Sequence, residues 1–176
     1  LYRNFVGFSI FYPNNWKLIG PRPSTDGTIR GKFFDISGAD PNGDLTEQML
    51  ISYFPSNGTF NEDTAKFKEM VAETNETLRK LIPNYRMVSE GETRLNGDRR
   101  AYEVRFEGSG PDGKGGRLDV WGRRLFVPAS RPGIRSGFSI TMLATSNSKD
   151  VHSVEDVGTK GELAAILGTF EPDSNF

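Results

Sequence analysis

The chain contains no cysteine. Thiol nucleophiles, cysteine-built zinc sites, iron–sulfur clusters and disulfides are therefore excluded. There is one histidine, His152. A two-histidine metal site cannot exist, and a catalytic triad would have to use this single base. No apolar run approaches the roughly 18–20 residues that span a bilayer, so this segment is not expected to insert into a membrane. An excess of one charge is missing too: 22 basic residues face 23 acidic ones, for a net charge of −1. A nucleic-acid binder usually carries a basic excess, so nucleic acid is not an expected partner. The first residue, Leu1, is neither an initiator methionine nor part of a signal-like apolar stretch. The start reads as a cut site, from which a signal or anchor was removed or a domain excised from a longer protein. With the lack of cysteine, this leads to an expected extracytoplasmic position, periplasmic or secreted, free or membrane-tethered.

What is present is enough chain for one domain, residues 1–176, with a core that needs no staples. Phe5, Phe8, Ile10 and Tyr12 alternate with polar residues as in a strand, and Pro13-Asn14-Asn15 is a turn. Extended character resumes at Trp16 to Ile19. Pro21 to Gly31 reads as a loop, Lys32 to Ile36 as a short strand, and Gly38 to Asp44 as a turn. Met49 to Phe54 is nearly all apolar, as expected for a strand covered on both faces.

The spacing of Phe67, Met70, Val71, Thr74, Leu78 and Leu81 predicts an amphipathic helix over Ala65 to Ile82. Thr59 and Glu62 have capping-box spacing, with Asn61 as an alternative cap, and Pro83 ends the segment. Tyr85 to Leu95 and Arg99 to Phe106 flank Asn96-Gly97, the dipeptide favoured in tight hairpins. A glycine-rich loop, Gly108 to Gly116, leads to strands at Arg117 to Val127 and Gly137 to Thr145. Val154 to Phe170 reads as a last helix, weakened at Gly158 and Gly161 and ended by Glu171-Pro172. Strands in series joined by short turns imply antiparallel pairing. The expected class is α+β: an antiparallel sheet of about six or more strands with helices on its faces, an α/β/α sandwich.

Three segments together resemble the Mog1/PsbP-like fold family, in particular its bacterial PsbP-like members. They are Gly7-Phe8-Ser9-Ile10-Phe11-Tyr12-Pro13-Asn14-Asn15-Trp16, the helix and hairpin ending at Ala101 to Phe106, and Leu163 to Phe170 with Glu171-Pro172. Members of this family act through protein partners, one group on a nuclear small GTPase and another at the oxygen-evolving side of photosystem II. No GTPase-binding acidic patch and no manganese or calcium site of the family maps onto this chain. Similar domains occur in bacterial lipoproteins and at the ends of membrane-attached kinases or proteases. The resemblance thus implies a fold and a tendency to work by binding, to a protein partner or to the remainder of a longer chain.

Several segments invite a chemical reading. Gly108-Ser109-Gly110-Pro111-Asp112-Gly113-Lys114-Gly115-Gly116 has the glycine and lysine of a phosphate loop, but lacks Gly-Lys-Ser/Thr opening a helix. A hairpin connection is the expectation. Asp40, Asn42 and Asp44 alternate as calcium ligands do, yet the twelfth position is Ile51 rather than glutamate. An Asx-rich turn is expected instead. Trp16 and Tyr12 read as core aromatics, and His152 as an exposed loop residue. Arg117, Asp119, Trp121 and Arg123 alternate, so a strand points all four to one face. With Arg124 beside them they form the candidate binding surface, since Trp and Arg are enriched at interaction hot spots. Leu118, Val120 and Leu125 are placed off that face, the first two supplying core. No catalytic, cofactor or metal residues are assigned and no cofactor is expected. The functional expectation is a non-enzymatic binding or accessory domain. The alternatives are a structural spacer, or a hydrolase using carboxylates from Glu90, Glu92, Glu103 and Asp119.

Overall fold

The computed structural model describes residues 2–5, 7–19, 34–129 and 131–173. The expected loop from Pro21 to Gly31 and the first residues of the strand at Lys32 to Ile36 lie outside them. The main sheet is built from β3 (Lys17–Ile19), β4 (Phe34–Ala39), β5 (Leu45–Pro55), β6 (Arg86–Leu95), β7 (Arg99–Pro111), β8 (Arg117–Val127) and β9 (Ser136–Thr145). Its order is β3-β4-β5-β9-β8-β7-β6, and each neighbouring pair is antiparallel. A smaller sheet joins the two ends of the chain: β1 (Tyr2–Phe5) and β10 (Glu171–Pro172) both pair with β2 (Phe8–Phe11). Glu171-Pro172, read from sequence only as a helix stop, is thus an edge strand, where proline's missing N–H costs no ladder bond.

Two meanders, β3-β4-β5 and β6-β7-β8-β9, are joined by α1 (Phe60–Leu81), which connects a central strand to the far edge. The helix begins earlier than its apolar spacing indicates, because Thr59 caps it. Its Oγ1 accepts from Glu62 N and donates to Glu62 Oε2, a capping-box arrangement with the hydroxyl used twice. Phe67, Val71, Thr74 and Leu78 are buried as expected. Leu81 is not: it is 71% exposed, and Ile82, past the helix end, takes the buried place instead. Asp63 is the unexpected buried member. Its carboxylate accepts from Ser56 Oγ at 2.6 Å and Asn57 N at 2.7 Å, which ties the incoming loop to the first turn.

The alternation of the strands divides the core in two. Met49, Ile51, Leu125, Val127, Ile140 and Met142 face a layer containing Phe8, Ile10, Leu163, Ile166 and Phe170. Phe54, Val104 and Phe126 face Phe67 and Val71 of α1. Each large apolar side chain so buried contributes roughly 1.5–3 kcal/mol relative to exposure. One face is therefore covered by a helix. The other lies under a mixed layer: the small sheet, the turns of residues 151–160 and the short α2 (Gly161–Gly168). The α+β class holds, but the second outer layer of the expected sandwich is not a helical one.

The single helix expected over Val154 to Phe170 is the clearest correction. Gly158 and Gly161 both have φ of +67°, a left-handed conformation that interrupts a right-handed helix. Residues 154–160 are turns, and only the last eight-residue stretch is helical. The Asn96-Gly97 turn has positive φ at both residues, as predicted, but Leu95 pairs with Arg99, so Asp98 is a third loop residue. Asn96 also ties the hairpin to the end of α2, its Nδ2 donating to Phe170 O at 2.9 Å. Gly108 and Gly110 belong to β7 rather than to a loop. A Cβ on Gly108 would stand 2.8 Å from Pro83 O, so the glycine admits the chain leaving α1.

Candidate binding groove

Arg117, Asp119, Trp121 and Arg123 do share one face of β8, but that face is only partly open. The Arg117 side chain is 73% exposed and paired with Asp119 at 2.7 Å. Trp121 is partly buried against the core beneath. Arg123 is 7% exposed. Its Nε donates to Glu103 Oε2 at 2.8 Å and its Nη1 to Gly158 O at 3.3 Å. Glu103 also pairs with Arg105, whose Nη1 donates to Val154 O at 2.7 Å. The buried half of the strip is thus a bracket that holds the turns of residues 154–158 onto the sheet. Burial pulls the Arg123 pKa down, and the Glu103 carboxylate opposes it. Leu125 continues the same row and is fully buried, while Leu118 and Val120 are half-buried. That corrects the expected placement of Leu125, because all odd positions of this strand point one way; Leu118 and Val120 lie off that face as expected but are not the core residues. The exposed half lines a cleft of about 400 Å³ with Asn84, Arg86 and Glu107, where Arg86 pairs with Glu107.

The remaining candidates resolve into local structure. Asp40 Oδ1 accepts from Asn42 N and Asp44 N, which lowers its pKa, and Asp44 pairs with Lys114. The alternating oxygens thus bond the turn's own backbone and a lysine, as the expected Asx-rich turn requires. Asp112 Oδ1 accepts from Lys114 N and Gly116 N, closing the glycine loop on itself. His152 is exposed, with its backbone N–H donating to Asp156. Trp16 is buried over Gly38 and donates Nε1–H to Glu162 at 2.8 Å; Tyr12 is buried in the same apolar cluster. Of the carboxylates considered for hydrolysis, Glu92, Glu103 and Asp119 each pair with arginine, and Glu90 is exposed on β6.

Arg124 behaves differently. As the next residue of β8 it points to the opposite face, into a groove of about 490 Å³ between α1 and the sheet. Phe54 and Phe126 form its floor with Tyr53 at one side, and Met70, Thr74 and Thr77 of α1 form a wall. Lys66, Glu69 and Glu73 stand at the rim, Lys66 being held by Asn57 Oδ1 at 2.8 Å. Arg124 Nε donates to Ser139 Oγ at 2.8 Å, and its guanidinium lies 5.1 Å from the Phe126 ring centroid. No carboxylate among the described residues pairs with it. Burial alone pulls its pKa down, with no opposing charge. Its Nη atoms have no acceptor among the described residues, yet they are not sealed from solvent, so they remain open to the groove. The sequence signal for this site was weak: an arginine between apolar neighbours in Arg123-Arg124-Leu125-Phe126.

No family model and no curated protein matches the sequence. Among solved structures the chain is similar to one described as the crystal structure of LpqN involved in cell envelope biogenesis of Mycobacterium tuberculosis. Identity is 18%, the match covers 94% of this chain and 83% of that one, and the TM-score is 0.47.

Proposed function

We propose that this is a non-enzymatic binding or accessory domain of a larger extracytoplasmic protein, and that its binding element is the groove between α1 and the sheet. One observation carries the reading: a concave, partly apolar groove contains a half-buried guanidinium that no carboxylate pairs with among the described residues. Ligand sites are typically hollows of this size, roughly 300–1,000 Å³, with a few convergent polar groups on an apolar lining. The arginine-paired carboxylates of β6, β7 and β8 support binding over hydrolysis, because a carboxylate neutralised by arginine is a poor proton carrier. The extracytoplasmic setting is supported by the cysteine-free composition and by the Mog1/PsbP-like resemblance.

A nuclear magnetic resonance titration of the labelled domain with a small-molecule fragment library tests this reading. Shifts should concentrate on Thr74, Phe126 and Ser139. Shifts confined to the Trp121 cleft would move the site to the opposite face. A complete absence of shifts would favour a structural spacer.

A further inference from the structure

Resting on the groove reading above, we infer that the groove takes an amphiphile: an oxyanion head, carboxylate or phosphate, bound by Arg124, with a hydrocarbon body lying on Phe54, Phe126 and Met70. The head follows from the donor geometry. Arg124 spends Nε on Ser139 and keeps both Nη groups open to the groove. A guanidinium edge presenting parallel N–H groups matches a two-oxygen anion better than a neutral hydroxyl or a cation. The body follows from the apolar part of the lining, which Phe54, Phe126 and Met70 supply, while the charged Glu69 and Glu73 that also line the groove are exposed on α1.

The rim does not reverse this. Glu69 and Glu73 are exposed on α1, where water and salt screen them. Lys66, on the same wall, is partly offset by Asp63 at 3.9 Å. Arg124 is half-buried, where a unit charge is felt more strongly than on the open surface. A half-buried charge without a partner has given up part of its hydration in the empty domain, and an entering oxyanion offsets that cost. The fixed hydrogen bond to Ser139 pre-positions the guanidinium and lowers the ordering cost of binding.

The test uses three probes with one tail, octanoate, octyl phosphate and octan-1-ol, below their micelle concentrations. Affinities are measured by calorimetry, with resonance shifts of Thr74 and Ser139 locating the site. Wild type should bind at least one of the anions about tenfold more tightly than octanol. Arg124→Gln should abolish that preference, and Arg124→Lys should restore part of it. Tighter octanoate than octyl phosphate would identify a carboxylate source, and the reverse order a phosphate source. Equal binding of octanol and both anions, unchanged in Arg124→Gln, would overturn the head assignment and leave the groove standing. If no probe shifts Thr74 or Ser139, both the head assignment and the groove reading fall.

Discussion

Arg123 and Arg124 are neighbours in sequence and opposites in setting. Arg123 faces the layer of turns and α2, where Glu103 neutralises it and a backbone carbonyl caps it. Arg124 faces α1, with one hydroxyl acceptor and an aromatic ring but no carboxylate paired with it among the described residues. Burial lowers the pKa of both, and only for Arg123 does a neighbouring carboxylate push back. The difference separates a charge that the fold uses from one that it tolerates. A buried ion pair whose lone pairs are satisfied anchors structure, whereas an unpaired guanidinium is a liability unless something else completes it.

The sharpest way to break the comparison is to show that the α1 face is not a core at all. Phe67 is 1% exposed, and its ring stacks on Tyr102 with centroids 4.9 Å apart. Phe67→Asp would bury an unpaired carboxylate in that contact, and the domain should lose its cooperative thermal transition. A wild-type melting curve would mean that α1 docks elsewhere and that the groove does not exist as described.

Next in size is Glu103→Ala. It strands both Arg105 and Arg123 and should cost about 3–5 kcal/mol by urea denaturation, the usual consequence of removing one partner from a buried pair. The turns of residues 154–158 should also gain amide exchange, because both arginines hold their carbonyls. A loss below about 1 kcal/mol would place this cluster with ordinary surface ion pairs.

Local signals carried much of the fold. Thr59, Glu62 and the Phe67–Leu78 spacing make α1 readable, and Asn96-Gly97 marks its hairpin, because each acts within a few residues of itself. Alternation correctly put Arg117 to Arg123 on one face. What it could not convey is what lies above that face. The covering turns come from residues 30 or more positions later, and the left-handed Gly158 and Gly161 that shape them resembled weak helix positions. The groove was hidden for the same reason: Arg124's isolation depends on α1 and on Ser139 of β9, not on its neighbours. The buried Asp63 was likewise invisible, since its partners Ser56 and Asn57 lie in the loop before the cap.

A smaller effect sharpens the comparison with a charge of the other sign. Glu47 is buried beside α2, with Oε1 accepting from Ser148 Oγ and Oε2 unpartnered among the described residues. Burial raises its pKa above the ordinary 4.5; the Ser148 hydroxyl and the nearby Leu163 backbone N–H oppose the rise without cancelling it, and Glu162 and Asp150 add to it. A raised folded pKa gives a contribution fully present below pH 4.5 and lost as pH climbs through the folded value. Glu47→Gln cannot ionise. Its melting temperature should match wild type in acid and exceed it near pH 7. A gap that is instead widest in acid would reverse the assigned direction.

The smallest expected effect is the most discriminating. Arg124→Met keeps most of the aliphatic stem against Phe126 while removing the unpaired charge and the bond to Ser139. Losing that bond costs about 1 kcal/mol, and removing a desolvated charge returns a similar amount, so the two should nearly cancel. Arg123→Met removes the same atoms one residue earlier but leaves Glu103 with a single cationic partner in a buried place, and should be plainly destabilising. Chemical denaturation of the two variants in parallel therefore reads out the asymmetry with side-chain identity held constant. If Arg124→Met loses as much as Arg123→Met, Arg124 is a structural residue like its neighbour and needs no ligand to account for it. If it stays within about 1 kcal/mol of wild type, the guanidinium contributes little to the fold, and its place in the groove calls for a partner from outside the chain.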